Sequence, residues 1–199
     1  MIRIDPTKNM KKAHLLGIMA VSATLISARA DVIPSLSSTS PTGGNFTWNY
    51  SSNVTVDQMV TSGDFFTIYD FGNFVAGSNL QPVGWTFSSS LIGTNPALVA
   101  PTDDPTKLNL TWTYIGAQPV TGSAALGIFS VVTDTNQTRT SDFASSATKT
   151  SDPNGSKVAN IGSISVPVPE MSALLPILSV CGAGLVSLIP SLLRRRPTT

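Results

Sequence analysis

From Asn45 onward, apolar and polar residues change places at every second position. Phe46, Trp48 and Tyr50 alternate with Thr47 and Asn49, and Leu108, Leu110, Trp112 and Tyr114 alternate with Asn109, Thr111 and Thr113. A period of two puts the large side chains on one face of a strand and the polar ones on the other. Further β-rich runs cover Asp64 to Phe71, Gly84 to Ser88, Leu126 to Thr133 and Ile161 to Val166. Thr138 to Thr150 holds a weaker run, diluted by Ser and Ala. Turn signals separate the runs: Ser62-Gly63-Asp64, Gln81-Pro82-Val83-Gly84, Asp103-Asp104-Pro105 and Asp152-Pro153-Asn154-Gly155. No helical stripe interrupts them. The pattern predicts an all-β fold, a single β-sandwich of immunoglobulin-like or jelly-roll-like kind, over residues 45–165. Residues 31–44 are poor in apolar side chains and are expected to be a mobile lead-in.

Both ends break this pattern. From Met171 to Leu193 there is no charged residue. A helix rising about 1.5 Å per residue over that run crosses a hydrocarbon core of about 30 Å. Only Ser172, Ser179, Ser187 and Ser191 interrupt it, too few for the polar face of a soluble helix. Pro176, Pro190, Gly182 and Gly184 are tolerated in lipid. Arg194, Arg195 and Arg196 follow at once, a membrane stop that keeps the short tail inside and the bulk of the chain outside. Ahead of the span, Val166-Pro167-Val168-Pro169-Glu170 is expected to form an extended, unpaired strip open to a processing enzyme. Pro167, Val168, Pro169 and Glu170 are the candidate processing residues.

The other end carries Lys11 and Lys12, an apolar stretch from Leu15 to Ile26, and Ala28-Arg29-Ala30. This is the charged, apolar and small-x-small order of a secretory signal peptide, assigned to residues 1–30, with Met10 as the expected true start. Ala28 and Ala30 supply the small residues that signal peptidase needs, so cleavage leaves Asp31 first.

Pro169-Glu170, the apolar span and the three arginines together resemble the PEP-CTERM sorting signal of bacterial exosortase substrates. The resemblance covers residues 166–199. The common form has a second proline directly after the glutamate, where this chain has Met171. "GDFFTIYDFGNFVAG" (Gly63 to Gly77), "DDPTKLNLTWTYIG" (Asp103 to Gly116) and "LGIFSVVTDT" (Leu126 to Thr135) are similar to stretches of small PEP-CTERM proteins. The resemblance implies a precursor anchored in the inner membrane by the 171–193 helix and processed by an exosortase-type enzyme. It further implies release to the cell surface or extracellular matrix, and a β-rich surface domain with no activity to carry over.

Charge changes meaning once the ends are set apart. The whole chain is formally +1. Between Asp31 and Pro169 only Lys107, Arg139, Lys149 and Lys157 face nine aspartates, a formal charge of −5. That balance excludes a basic nucleic-acid footprint. The one cysteine, Cys181, lies in the span and the one histidine, His14, in the signal. The exported part therefore has no disulfide, no Cys/His zinc site and no His- or Cys-based nucleophilic triad. There is no Gly-rich phosphate loop followed by lysine. Asp103-Asp104 beside Pro105 carries the oxygen ligands that calcium takes, but a solvated acidic turn is the better reading. The same holds for a two-carboxylate glycosidase, given no Glu in the domain. Asn-x-Ser/Thr triplets at Asn45, Asn49, Asn53, Asn109, Asn136 and Asn154 are what so Ser/Thr-rich a chain produces by chance. We therefore expect a non-enzymatic exported protein with no cofactor. Two alternatives stand beside it: a carbohydrate-binding module for secreted polysaccharide, using Phe65, Phe66, Tyr69, Phe71, Trp85 and Trp112, and a permanently anchored type I membrane protein.

Overall fold

A computed structural model describes residues 32–152 and 155–168. Its strands are β1 Val32–Thr42, β2 Asn45–Val54, β3 Gln58–Val60, β4 Phe65–Phe71, β5 Trp85–Ser90, β6 Leu108–Tyr114, β7 Val120–Thr121, β8 Ala124–Thr133, β9 Thr138–Lys149 and β10 Lys157–Pro167. No helix occurs among the described residues. The signal helix expected in 1–30 and the membrane helix expected in 171–193 lie outside them.

The strands pair antiparallel into two sheets. One is β1-β2-β8. The other runs β5-β6-β4-β9, with β10 along the far side of β9 and the short β3 and β7 extending it past β4. Two-residue alternation decides which side chains face inward. Trp48, Tyr50 and Val54 of β2, Phe66 and Ile68 of β4, and Leu110 and Trp112 of β6 are all buried in one core.

Rings join the sheets. Phe129 of β8 enters edge-on against three rings of the larger sheet: Phe66 at 4.9 Å, Trp85 at 5.0 Å and Trp112 at 5.8 Å between centroids. Phe66 and Trp112 are themselves stacked at 5.1 Å. Beside this cup, Phe71 of β4 meets the edges of Trp48 and Tyr50 at 6.4 and 6.3 Å. Edge-to-face pairs of this kind add about 0.5–1.5 kcal/mol each to the area they bury.

Two expectations are corrected. Residues 32–42 are not a mobile lead-in but strand β1. The two-residue period persists there in muted form: Val32 and Pro34 are buried, Ile33 and Ser35 exposed. Gly43 and Gly44, at φ +57° and +88°, make a two-residue turn that needs positive φ and sets Thr39 opposite Trp48, and a bulge at Ser37 then shifts the register so that Leu36 faces Tyr50. An edge strand has one neighbour and few fully buried positions, so Ser and Thr fill it without cost.

The second correction concerns the strip before the span. It is not unpaired from Val166. Pro167 stands opposite Thr138, and the Val168 N–H donates to the Gln137 carbonyl at 2.8 Å. Proline lacks only its N–H. On the outer edge of a sheet, at a position whose N–H points away from the neighbouring strand, that loss removes no ladder bond.

Tyr50 supplies a pH test of this packing. Its hydroxyl donates to the Ser165 carbonyl at 2.9 Å, and burial pushes its pKa well above the ordinary 10.0. The folded chain keeps the proton while the unfolded chain releases it above pH 10. Stability is therefore fully present below pH 10 and falls as pH rises further, by up to about 1.4 kcal/mol per pH unit from this group. Urea unfolding at pH 9 and pH 11 should show that loss in the parent and a smaller one in Tyr50→Phe. Equal losses would place the hydroxyl in contact with solvent.

Candidate functional site

The strand directions bring the β1–β2 turn, the end of β4, the start of β6, the turn at residues 134–137 and the end of β10 to one rim of the sandwich. Here the chain leaves the domain toward residue 169. The turn is built from inside. Buried Trp48 donates its indole N–H to Thr133 Oγ1 at 2.9 Å and to the Thr135 carbonyl at 3.1 Å. Thr133 Oγ1 donates to the same carbonyl at 2.6 Å, and the Gln137 N–H donates to Thr135 Oγ1 at 3.1 Å. The Gln137 carbonyl then receives the Val168 N–H.

Of the sequence-predicted site residues, Pro167 and Val168 lie at this rim. Ala28, Ala30, Asp31, Pro169, Glu170, Arg194, Arg195 and Arg196 lie outside the described residues. Trp48, Thr135 and Gln137 were not singled out by sequence. Trp48 is more than eighty residues away from its partners, and only its place in the alternation marked it as inward-facing.

Asp70, Asp103 and Asp104 at the same rim are occupied by protein partners. Asp70, at φ +52° in the bulge of β4, receives the Asp104 N–H on Oδ1 at 2.8 Å, and its own N–H donates to Asn109 Oδ1 at 2.8 Å. Arg139 donates to the Asp70 carbonyl and lies 3.9 Å from its carboxylate. Asp103 accepts from Asn109 Nδ2 at 2.8 Å and from the Gly93 N–H at 3.0 Å. The Lys107 ammonium, 2.6 Å from Asp104, and then the Thr106 hydroxyl and N–H hold the Asp104 carboxyl well below the usual carboxylate range. The Asp103-Asp104 pair thus reads as a braced turn. Among the described residues no group of three His, Cys, Asp or Glu side chains converges as metal ligands.

That turn belongs to a long loop after β5 that lies over the outer face of the larger sheet. Tyr69 donates to the Thr94 carbonyl at 2.7 Å and to Asn95 Oδ1 at 2.9 Å, and Thr102 N–H donates to Asp142 at 2.8 Å. Burial raises the Tyr69 pKa, with Asp103 adding to the effect. Gly93 passes so near the Tyr69 ring that a Cβ there would stand 2.2 Å from it. A shallow cleft of about 240 Å³ opens beside the rim, lined by Phe71, Asn73, Phe74, Thr106, Lys107 and Leu108. It is smaller than the 300–1,000 Å³ typical of small-molecule sites.

At the opposite end, Asp64 is completely buried and fully bonded. Its Oδ2 receives the Thr61 N–H at 2.8 Å, the Thr61 hydroxyl at 3.0 Å and the Thr148 hydroxyl at 2.9 Å. Its Oδ1 receives Lys157 at 2.7 Å, and Lys157 also donates to Thr148 at 2.8 Å. One carboxylate thereby ties β4 to β9 and β10. Each of these bonds joins one strand or turn to another, a structural use of the carboxylate.

Phe66, Tyr69, Phe71, Trp85 and Trp112 are buried, and Phe65 is half-buried. No protein-family model matches the chain, and no curated protein matches it.

Removing the buried carboxylate strands three donors and the lysine. Asp64→Ala should cost about 3 kcal/mol in urea unfolding, with little relief from added salt because the carboxylate is out of solvent. A loss under about 1 kcal/mol would mean the cluster is no stronger than a surface ion pair.

Proposed function

We propose that this is a non-enzymatic exported β-sandwich protein, sorted to the cell surface or extracellular polysaccharide matrix of a bacterium through a C-terminal exosortase-type signal. The observation that carries the reading is the order Pro169-Glu170, uncharged run Met171 to Leu193, and Arg194-Arg195-Arg196 at one end of the chain, opposite a signal-peptide pattern ending at Ala30. Signal peptidase removes residues 1–30. The span holds the precursor in the inner membrane with the domain outside. The processing enzyme then acts at Pro169-Glu170.

The structure supports this reading in three ways. β10 delivers the chain to the rim at Pro167, three residues before Glu170, so the last strand of the domain runs directly into the signal. Of the rings that sugar stacking would need, Phe66, Phe71, Trp85 and Trp112 are in the core, Tyr69 is buried and Phe65 is half-buried. Stacking on a sugar requires an open ring face, which favours a surface or matrix role over a carbohydrate-binding module. An uncharged, hydroxyl-rich sheet β1-β2-β8, with Ser35, Ser37, Ser38, Ser40 and Thr42 exposed, suits a hydrated extracellular setting.

The test is processing of a tagged precursor in an exosortase-positive host. Glu170→Ala leaves the span untouched, so the protein should still insert, but the uncut precursor should accumulate in the membrane fraction. Replacing Arg194, Arg195 and Arg196 should instead reduce retention before cutting. If Glu170→Ala is cut like the parent, Pro169-Glu170 is only a spacer and the chain is a plain membrane-anchored β domain.

A further inference from the structure

The rim that carries the tail also restrains it. Val166 is completely buried, Pro167 is buried, and β10 stays paired with β9 to its last residue. One more hydrogen bond, from the Val168 N–H to the Gln137 carbonyl, ties the chain down immediately before Pro169. Two core aromatics of the smaller sheet hold this closure from beneath. Tyr50 donates to the Ser165 carbonyl, and Trp48 fixes the Thr135 carbonyl of the turn whose Gln137 accepts from Val168. A chain advances at most about 3.6 Å per residue, so an enzyme acting at Glu170 works within about 7 Å of Val168.

Processing enzymes take their substrates as extended backbone, pairing the main chain and seating alternate side chains in pockets. The Val168 N–H cannot serve the Gln137 carbonyl and an enzyme cleft together, and the Val166 side chain cannot fill the core and a pocket together. We propose that the end of β10 is a brake on tail processing: residues 165–168 enter the enzyme only when they peel from β9 and from the Gln137 carbonyl. Trp48 and Thr135 are positioning residues that set how often this happens. The inference rests on the sorting reading above.

When opening is fast relative to cutting, the cutting rate follows the open population. Each lost hydrogen bond should raise that population about fivefold. Thr135→Val removes the hydroxyl that accepts from Gln137 and keeps the branched shape. Trp48→Phe removes the indole N–H and keeps a ring. Phe66→Leu serves as a control that loosens the core without touching the rim.

The full-length precursor in detergent is followed by hydrogen exchange at Val168 and its neighbours, and pulse–chase in an exosortase-positive host gives the lifetime of the uncut form. We expect exchange at Val168 to rise about fivefold in Thr135→Val, at least as much in Trp48→Phe, and the precursor lifetime to shorten by a similar factor. Phe66→Leu should change neither. Faster exchange with unchanged or slower cutting overturns the brake. So does a parent whose Val168 amide exchanges at the unfolded rate, or a Phe66→Leu precursor cut as fast as Thr135→Val. A parent that is never cut although Val168 is protected sinks the sorting reading and the brake with it, while the clamp itself stands.

Discussion

The edge of Phe129 set among Phe66, Trp85 and Trp112 holds the two sheets in register. The domain between Asp31 and Val168 contains no cysteine and no histidine, so no cross-link or zinc site shares that task. Everything else in the fold follows from keeping two separate sheets face to face, chiefly by packing. Large rings suit this purpose. Each buries about 150–250 Å² and interlocks with limited rotamer freedom. The second contact, Phe71 against Trp48 and Tyr50, sets the position of the other half of the core.

Trp48 and Tyr50 also have polar tips, and these carry the core's geometry out to the rim. A buried indole N–H or phenol O–H usually finds a partner. Trp48 finds the turn at 133–135, and Tyr50 finds the Ser165 carbonyl in β10. The Tyr50 partner belongs to the larger sheet, and Trp48 reaches both Thr133 at the end of β8 and the Thr135 carbonyl in the turn leading into β9. Packing between the sheets therefore also determines where the last strand ends and in what state the chain leaves. At the other end, buried Asp64 joins β4, β9 and β10 by charge and hydrogen bonding. β10 is thus tied at both its ends, though it is an edge strand.

The strands with large alternating side chains were legible in the sequence. β2 and β6 fall where the period of two placed them, β4, β5, β8 and β10 fall on the β-rich runs, and the all-β sandwich follows from their number and from the turns between them. β9 was the weaker run, because its buried positions include the small residues Ser145 and Ala147. β1 was missed because its outward positions are Ser and Thr and its inward ones include Pro34 and Thr39, which look like a linker without the β2 template beside them. β3 and β7 are too short to leave a period. The pairing of Pro167 and Val168 was invisible for a related reason: proline argues against a strand unless the strand is known to be an edge. Neither polar cluster could be read in advance, since Asp64 meets Thr148 and Lys157, and Trp48 meets Thr135, only after the chain has returned across the fold.

The measurement that bears most directly on this account is the unfolding free energy of residues 31–168 with Phe129 replaced by alanine, followed by tryptophan fluorescence in urea. Phe129 touches rings from three strands of the opposite sheet, so its loss should cost about 3–5 kcal/mol, with tryptophan emission already shifted to the red before the main transition. A cost below about 1 kcal/mol with unchanged native emission would mean the sheets are held together by something other than this seam of rings.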